Sequence, residues 1–230
     1  KAETIENGWR VDERVEAIFI PVKDMLANAP GFLSLVSQKR LAFEEVYQDI
    51  ITKAYSPVVK GKQSPEREKL MSILSKAMSG RVVTKEETFY LKNASGQLEF
   101  SLLAEGYRKL GLLYRLIQNE TLTKGSMLFW DEPEANLNPQ LMQTVVNILL
   151  ELQRMGVQIF ISTHDYVLLK EFELAATKND NVLYHVLYKD SEGVVRHSST
   201  YDIDQLEPNA IDETFARIVD DEIQKGLSTL

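Results

Sequence analysis

Residues Ser126–Pro139 read SMLFWDEPEANLNP, and residues Ile159–Asp165 read IFISTHD. In the first stretch an apolar run ends in Asp131 and Glu132, and in the second an apolar run ends shortly before His164. Short apolar runs closed by polar residues are typical of strands buried on both faces of a parallel α/β sheet. Because ligands bind outside the carboxyl ends of such strands, we expect Asp131, Glu132 and His164 at one edge of the sheet.

The segment between the two runs predicts one amphipathic helix and therefore a βαβ unit with a right-handed crossover. Asn138 suits the N-cap, Pro139 the first helical position and Gly156 the C-cap. Apolar residues recur there at helical spacing and predict one buried face: Leu141, Val145, Ile148, Leu149, Leu152 and Met155.

Composition narrows the classes of protein. A chain of 230 residues predicts one domain, or one domain with an insert. The absence of cysteine excludes a disulfide scaffold and a thiolate metal site, and it fits a cytoplasmic protein. No apolar run is long enough for a membrane span, so no membrane partner is expected. The net charge of −8 does not indicate a broad nucleic-acid-binding face, although it is compatible with a local basic patch.

The remaining segments predict further strands and helices around this unit. We expect a strand at Arg14–Pro21 in the main sheet, a helical subdomain at about residues 24–80, and a hairpin of Arg81–Leu91 with Gln97–Leu102. A helix is predicted over Glu105–Gln118. After the βαβ unit we expect a short helix from Asp165, strands near Val182–Lys189 and Val194–Ser199, and a helix over about Ala210–Lys225.

The two acids are the main candidates for chemistry. A strand-terminal aspartate such as Asp131 holds Mg²⁺, usually through water. A neighbouring glutamate, here Glu132, polarises the water that attacks a γ-phosphate. The alternative is that Asp131 and Glu132 are two solvated carboxylates at a strand end. His164 alone would be weak evidence for a site, because lone histidines are usually surface or core groups. The position of His164 after the next strand favours a phosphate-contacting role.

The run LFWDEPEANLNP followed by ISTHD resembles the Walker B, D-loop and H-loop series of ABC-type ATPases. It is most similar to bacterial AAA family ATPases related to the overcoming-lysogenization-defect and RecF/SMC-like proteins. The resemblance covers roughly Phe100–Phe172. It implies a P-loop NTPase fold like an ABC-ATPase head, with a mainly parallel sheet flanked by helices and a helical subdomain, and it implies ATP and Mg²⁺ as cofactors.

The resemblance also implies roles for particular residues. Asp131 would bind the metal, Glu132 would be the catalytic base and His164 would contact the γ-phosphate. The segment after the acids would contact a partner subunit across a homodimer, with Asn136 and Asn138 as candidate nucleotide-binding residues.

The segment Ser101–Arg108 stands where the family has its signature motif, whose helix N-terminus binds the γ-phosphate held by the opposite subunit. Ala104, Glu105 and Gly106 are the corresponding candidates, since a helix N-terminus attracts phosphate and glycine permits close approach. Ala104 departs from the family's usual serine, and Glu105 adds a negative charge. An ordinary helix start is the alternative.

A Walker A motif, Gly-x-x-x-x-Gly-Lys-Ser/Thr, is missing from the sequence. The only Gly-Lys pair is Gly61-Lys62. Ser56 stands where the motif needs its first glycine, and Gln63 stands where it needs serine or threonine, so this pair does not form a Walker A motif. Together with the missing initiator methionine, this indicates the C-terminal part of a longer ATPase whose Walker A segment lies upstream.

Three classes of function therefore compete. The first is an ATPase head that, once complemented by a Walker A segment, dimerises with ATP and drives a DNA-related or anti-phage activity on nucleic acid or an effector protein. The second is a non-hydrolysing dimerisation module derived from such an ATPase. The third is a metal-dependent phosphoesterase that uses Asp131, Glu132, His164 and Asp165, although such enzymes usually need more ligands.

Overall fold

Helices separate the parallel strands of the chain, as an α/β fold requires, and antiparallel strands form two further small sheets. The computed structural model describes residues 15–39, 43–59, 61 and 63–228. In chain order these residues form β1 (Ala17–Ile20), α1 (Phe32–Ser37), α2 (Glu45–Tyr55), α3 (Pro65–Ala77), β2 (Arg81–Lys85), β3 (Thr88–Asn93), β4 (Gly96–Glu99), α4 (Glu105–Gln118), β5 (Met127–Asp131), α5 (Met142–Arg154), β6 (Gln158–Ser162), α6 (Tyr166–Ala175), β7 (Tyr184–Lys189), β8 (Val195–Thr200) and α7 (Ala210–Leu227).

The central sheet is parallel, with the strand order β1–β5–β6. Ile20 pairs with Trp130 of β5, and Asp131 pairs with Ser162 of β6. The predicted βαβ unit is therefore confirmed, as is the α/β fold class with a mainly parallel sheet flanked by helices. The predicted strand at Arg14–Pro21 is confirmed for Ala17–Ile20, and Arg14 lies outside the described residues.

The connection from β5 to α5 differs in one detail from the prediction. The side chain of Asn138 accepts a hydrogen bond from the Gln140 backbone N–H at 3.0 Å, as a cap should. Pro139, however, begins a single 3₁₀ turn, and the α-helix proper begins at Met142.

The buried face of α5 is also wider than predicted, because Met142, Val146 and Leu150 are buried beside the predicted residues. A leucine-rich helix packed between several elements buries more than one stripe.

The prediction that the strands are buried on both faces is wrong. One face carries Ile18, Leu128 and Trp130, which are at most 2% exposed. On the other face Phe160 is 44% exposed and stacks on Phe129 with ring centroids 4.8 Å apart. Among the described residues, the first face therefore packs into the core and the second stays partly open to solvent. The sequence pattern could not show this, because an apolar run looks the same whether or not its second face is covered.

The predicted hairpin is a three-stranded antiparallel sheet, with the order β2–β3–β4. The prediction of one strand over Arg81–Leu91 is wrong, since the chain turns at Glu86 and Glu87. Glu86 has a φ of 53°, a left-handed conformation usually left to glycine or asparagine. The Glu87 carboxylate accepts a hydrogen bond from the Gly31 backbone N–H at 2.7 Å. A tertiary contact therefore supports a turn for which the local sequence gives no signal.

Helices α2, α3 and α4 share the core with the parallel sheet. The helix α4 covers the residues predicted for it, and Leu110, Leu113 and Ile117 are fully buried. The buried Arg115 guanidinium donates to the backbone oxygen of Ala54 through Nε at 3.1 Å and Nη2 at 3.0 Å, and so ties the end of α2 to α4. The region 24–80 contains α1, α2 and α3, and its assignment as a separate helical subdomain stays a prediction.

The last elements are the hairpin β7–β8 and the helix α7, both predicted. Along α7 every side chain is at least partly exposed. In the part of the chain that the structure describes, no helix combines the length and the apolar character needed to cross a membrane.

The close packing of α4 on Phe100 can be tested by adding one methyl group. An ideal Cβ at Gly111 would lie 2.5 Å from Cζ of Phe100, whose ring is 1% exposed and cannot easily move away. We expect Gly111→Ala to lower the free energy of unfolding by about 1–3 kcal/mol, the usual cost of overpacking, in urea denaturation.

The matched control is Gly226→Ala, also in a helix, where an added Cβ would meet no atom within 4 Å. It should raise the free energy of unfolding by up to about 1 kcal/mol, because alanine loses less backbone entropy than glycine. Equal stability of Gly111→Ala and the parent protein would contradict the packing described for Phe100.

Candidate nucleotide-hydrolysis site

The two acids lie at the carboxyl end of β5. Asp131 is the last residue of the strand, and the Glu132 backbone N–H donates to the Ser162 oxygen at 3.0 Å, which continues the pairing with β6. Glu132 then adopts a φ of 45°. A left-handed conformation costs a residue other than glycine about 1–3 kcal/mol and persists only where its surroundings impose it. The backbone therefore turns sharply at the residue predicted to be the base.

His164 lies beside Glu132, although 31 residues separate their strands' paired ends, Asp131 and Ser162. The His164 Nδ1 atom is 3.2 Å from Oε1 of Glu132, with the imidazole 75% and the carboxylate 34% exposed. The pair is therefore accessible to a ligand from solvent. The predicted placement of the two acids and the histidine at one edge of the sheet is what the structure shows.

Asp131 offers a carboxylate for a cation at this edge. One of its oxygens, Oδ1, accepts a short hydrogen bond from the Ser162 hydroxyl, which orients the group. Among the residues that the structure describes, no three His, Cys, Asp or Glu side chains are grouped so that they could hold a metal ion by themselves. Mg²⁺ that accompanies a nucleotide needs only one or two protein carboxylates, with water and phosphate oxygens as the other ligands. The donor set fits that mode of binding.

The loop after the acids reaches the start of α4. Asn136, with a φ of 59°, donates from Nδ2 to Oε2 of Glu105 at 3.1 Å. Asparagine tolerates this left-handed backbone better than most residues. The Asn138 side chain caps the turn into α5, so its amide oxygen already has a structural partner. Of the two asparagines predicted to bind nucleotide, the structure thus joins only Asn136 to another candidate residue.

The first turn of α4 carries the other three candidates. Ala104 is the N-cap, and its side chain makes no capping hydrogen bond. Gly106 is buried against the loop, because an added Cβ would lie 3.0 Å from Cδ1 of Leu137. The glycine was expected to allow a phosphate to approach the backbone. In the structure it is Leu137 of the same chain that packs closely against Gly106.

Two buried charged residues near the site were missed by the sequence analysis. Lys109 is 3% and Glu134 is 7% exposed. The Lys109 ammonium donates to the backbone oxygens of Glu132 at 3.2 Å and Ala135 at 2.6 Å, and burial lowers its pKa. A signal did exist: Lys109 follows Gly106 by three residues and precedes Leu113 by four, which places it on the buried face of the helix.

Glu134 lies under the histidine. Its Oε1 atom accepts from the Thr163 hydroxyl at 2.6 Å and from the His164 backbone N–H at 3.4 Å. Its other oxygen, Oε2, is buried without a hydrogen-bond partner among the described residues. No sequence signal set this acid apart from its neighbours in an acidic stretch.

An ion pair between Arg108 and Asp24 links α4 to the segment after β1. The Arg108 Nε atom is 2.7 Å from Oδ2 of Asp24, whose side chain is 1% exposed, and Arg108 also donates to the Leu103 oxygen at 2.8 Å. Burial raises the pKa of Asp24 despite the neighbouring guanidinium. The start of α4 is therefore held from two sides, by the β1 segment and by the loop after β5.

Comparisons with known structures give distant likenesses. A Pyrococcus furiosus Smc head domain bound to the C-terminal domain of ScpA is 13% identical, with a TM-score of 0.43, over 59% of this chain and 34% of that one. An SMC ATPase from a study of ATP-driven dimerisation and DNA-stimulated activation is 11% identical, with a TM-score of 0.45, over 78% and 96%. The Thermotoga maritima SMC head domain is 15% identical, with a TM-score of 0.42, over 79% and 53%.

At these identities and TM-scores the likenesses carry no information about substrates or partners. The chain also spans only about a third and about half of the lengths of the Pyrococcus and Thermotoga chains. Among curated proteins, none is significantly similar to this sequence.

A family match is more informative. Residues 27–170 match the family described as "AAA domain, putative AbiEii toxin, Type IV TA system". The matched residues include α4, both acids and His164. Since they make up more than half of the 230 residues, the chain belongs to this family of AAA domains, in agreement with the ABC-type AAA ATPase motifs of its sequence.

Proposed function

We propose that this chain supplies the hydrolytic edge of an ATPase that binds Mg-ATP between two copies of the protein. The observation that carries the proposal is the 3.2 Å contact between the Glu132 carboxylate and the His164 imidazole, at the ends of two adjacent parallel strands. Membership of an AAA-domain family supports ATP as the nucleotide.

In the proposed mechanism Glu132 is the general base. Its carboxylate is partly exposed and projects from the strand edge, so it can accept a proton from a water aligned with a γ-phosphate. His164 donates a hydrogen bond to a γ-phosphate oxygen and, through its contact with Glu132, orients the base. Asp131 would hold Mg²⁺, and the bound ion would neutralise part of the phosphate charge.

The second half of the proposed site comes from the partner copy. The start of α4, at Ala104, Glu105 and Gly106, would face a γ-phosphate bound by the other subunit, because a helix N-terminus attracts anions and the N-cap side chain makes no capping hydrogen bond. Asn136 and Asn138 meet the partner at the same interface. We further propose a cytoplasmic protein whose ATP-driven dimerisation acts on nucleic acid or an effector protein in a DNA-related or anti-phage activity.

The phosphate-cradling part of the site is not in this sequence, which lacks a Walker A motif. We propose that a Walker A segment outside these 230 residues completes the site. The same fact favours a second candidate, in which the chain is a non-hydrolysing dimerisation module. Nucleotide binding and turnover separate the two candidates.

The first prediction concerns the 230 residues alone. Because the Walker A loop supplies most hydrogen bonds to the β- and γ-phosphates, this chain should bind Mg-ATP weakly or not at all in isothermal titration calorimetry. A Kd in the micromolar range would mean that the described residues contain a complete phosphate site, contrary to the proposal.

The second prediction concerns Glu132→Gln in the Walker A-containing protein. The change is nearly isosteric and removes the proposed base, so steady-state ATP turnover should fall by about a hundredfold to ten-thousandfold. Binding contacts survive, so light scattering should show a dimer accumulating with Mg-ATP. Asp131→Ala should instead weaken Mg-ATP binding itself.

The matched control is Glu192→Gln, which makes the same chemical change at an exposed residue of the β7–β8 turn. It should leave turnover at the parental rate. Parental turnover by Glu132→Gln as well would show that Glu132 is not the base. A parental protein that binds ATP and never hydrolyses it would favour the non-hydrolysing module.

A further inference from the structure

Lys109 is a buried cation that donates hydrogen bonds to the loop beginning at Glu132. It lies on α4, and its ammonium donates to the backbone oxygens of Glu132 and Ala135. Burying a charge is costly unless it is hydrogen-bonded or paired. Carboxylates of Glu105, Glu134 and Asp24 lie close enough to favour its charged form. Lys109 is only 3% exposed, and its hydrogen bonds and the neighbouring carboxylates offset the cost of burying its charge.

The loop held by Lys109 contains the proposed base in an unfavourable backbone conformation. Glu132 has a φ of 45°, and the Ala135 backbone N–H donates to the Glu132 oxygen at 3.0 Å to close the turn. That oxygen therefore accepts two hydrogen bonds, one from the turn and one from Lys109. The two bonds restrain the backbone of Glu132, and with it the direction in which the Cα–Cβ bond carries the carboxylate away from the strand.

The same helix touches the loop at two further points. Glu105 accepts the hydrogen bond of Asn136 at 3.1 Å, and Gly106 packs on Leu137. These residues belong to the first turn of α4, one turn before Lys109. A shift of that turn therefore moves Lys109 relative to the Glu132 and Ala135 carbonyls.

We propose that Lys109 is a positioning residue that orients Glu132 by clamping the backbone carbonyls of Glu132 and Ala135. The clamp makes hydrolysis depend on the position of the first turn of α4, which is the element assigned above to the partner's nucleotide. The inference rests on the proposed function. Lys109 itself touches neither nucleotide nor water.

Glu134 braces the other half of the pair. Its carboxylate accepts hydrogen bonds from the Thr163 hydroxyl at 2.6 Å and from the His164 backbone N–H at 3.4 Å, so a buried acid anchors the backbone from which the imidazole projects. Lys109 and Glu134 thus act on the two partners of the Glu132–His164 contact from two different elements. The negative charge of Glu134 favours the charged form of Lys109.

The first test measures the clamp without nucleotide, in the 230-residue chain. Lys109→Met keeps the length and the apolar stem of the side chain and removes the donors. Amide hydrogen exchange followed by mass spectrometry should become about tenfold faster or more in a peptide spanning residues 133–137, because local opening becomes easier. Lys109→Arg, which retains charge and donors, should restore slow exchange.

The matched control is Lys69→Met on α3, where an exposed lysine pairs with Glu151 away from the loop. It should leave exchange at residues 133–137 unchanged. Unchanged exchange in Lys109→Met would overturn the proposal. If Lys109→Met loses its helical circular dichroism, Lys109→Gln, whose uncharged side chain is one atom shorter than that of lysine, replaces it and is judged by the same outcomes.

The second test measures turnover in the Walker A-containing ATPase. Lys109→Met should lower kcat by about tenfold to a hundredfold and change KM for ATP by less than about twofold, since it misplaces the base and leaves nucleotide contacts intact. Parental kcat together with fast exchange would show that the clamp does not position the base, and would overturn the proposal. An inactive parental protein would instead refute the proposed function, while the exchange measurement still decides whether Lys109 holds the loop.

Discussion

The parallel pairing of β5 with β6 is the constraint on which the candidate site depends. Asp131 is paired with Ser162, so the residues that leave the two strands emerge side by side. A slip by one residue would turn Trp130 from the buried face to the exposed face, which makes the register strongly specified. The contact between Glu132 and His164 is therefore a consequence of core packing.

The packing of the strands does not by itself orient the side chain of Glu132. Glu132 leaves the strand through a left-handed backbone conformation, which few residues adopt without support. The support comes from the turn's own hydrogen bond and from the buried ammonium of Lys109. A strained position that is stabilised by a neighbouring helix responds to movement of that helix. The structure thereby connects the backbone at the acid with the first turn of α4.

Much of this arrangement could be predicted from the sequence, and the failures have identifiable causes. The helix over Glu105–Gln118 and the edge shared by the acids and His164 follow from periodicity and from the order of elements. The turn at Glu86 could not be predicted, because a contact 56 residues away, from Gly31 to Glu87, supports it. Glu134 was missed for a similar reason, because tertiary neighbours decide its burial, whereas the helical spacing of Lys109 already placed it on the buried face of α4.

The exposed face of the parallel sheet carries a row of phenylalanines. Phe19, Phe129 and Phe160 are paired in register across the three strands, and Phe160 is 44% exposed. A ladder of aromatic rings open to water is unfavourable, and such patches usually mark a contact with another segment or protein. The face belongs to the same strands that carry Asp131 and lead to His164. Among the described residues, the register that buries Trp130 on one face of the sheet therefore also sets this row of phenylalanines on the other.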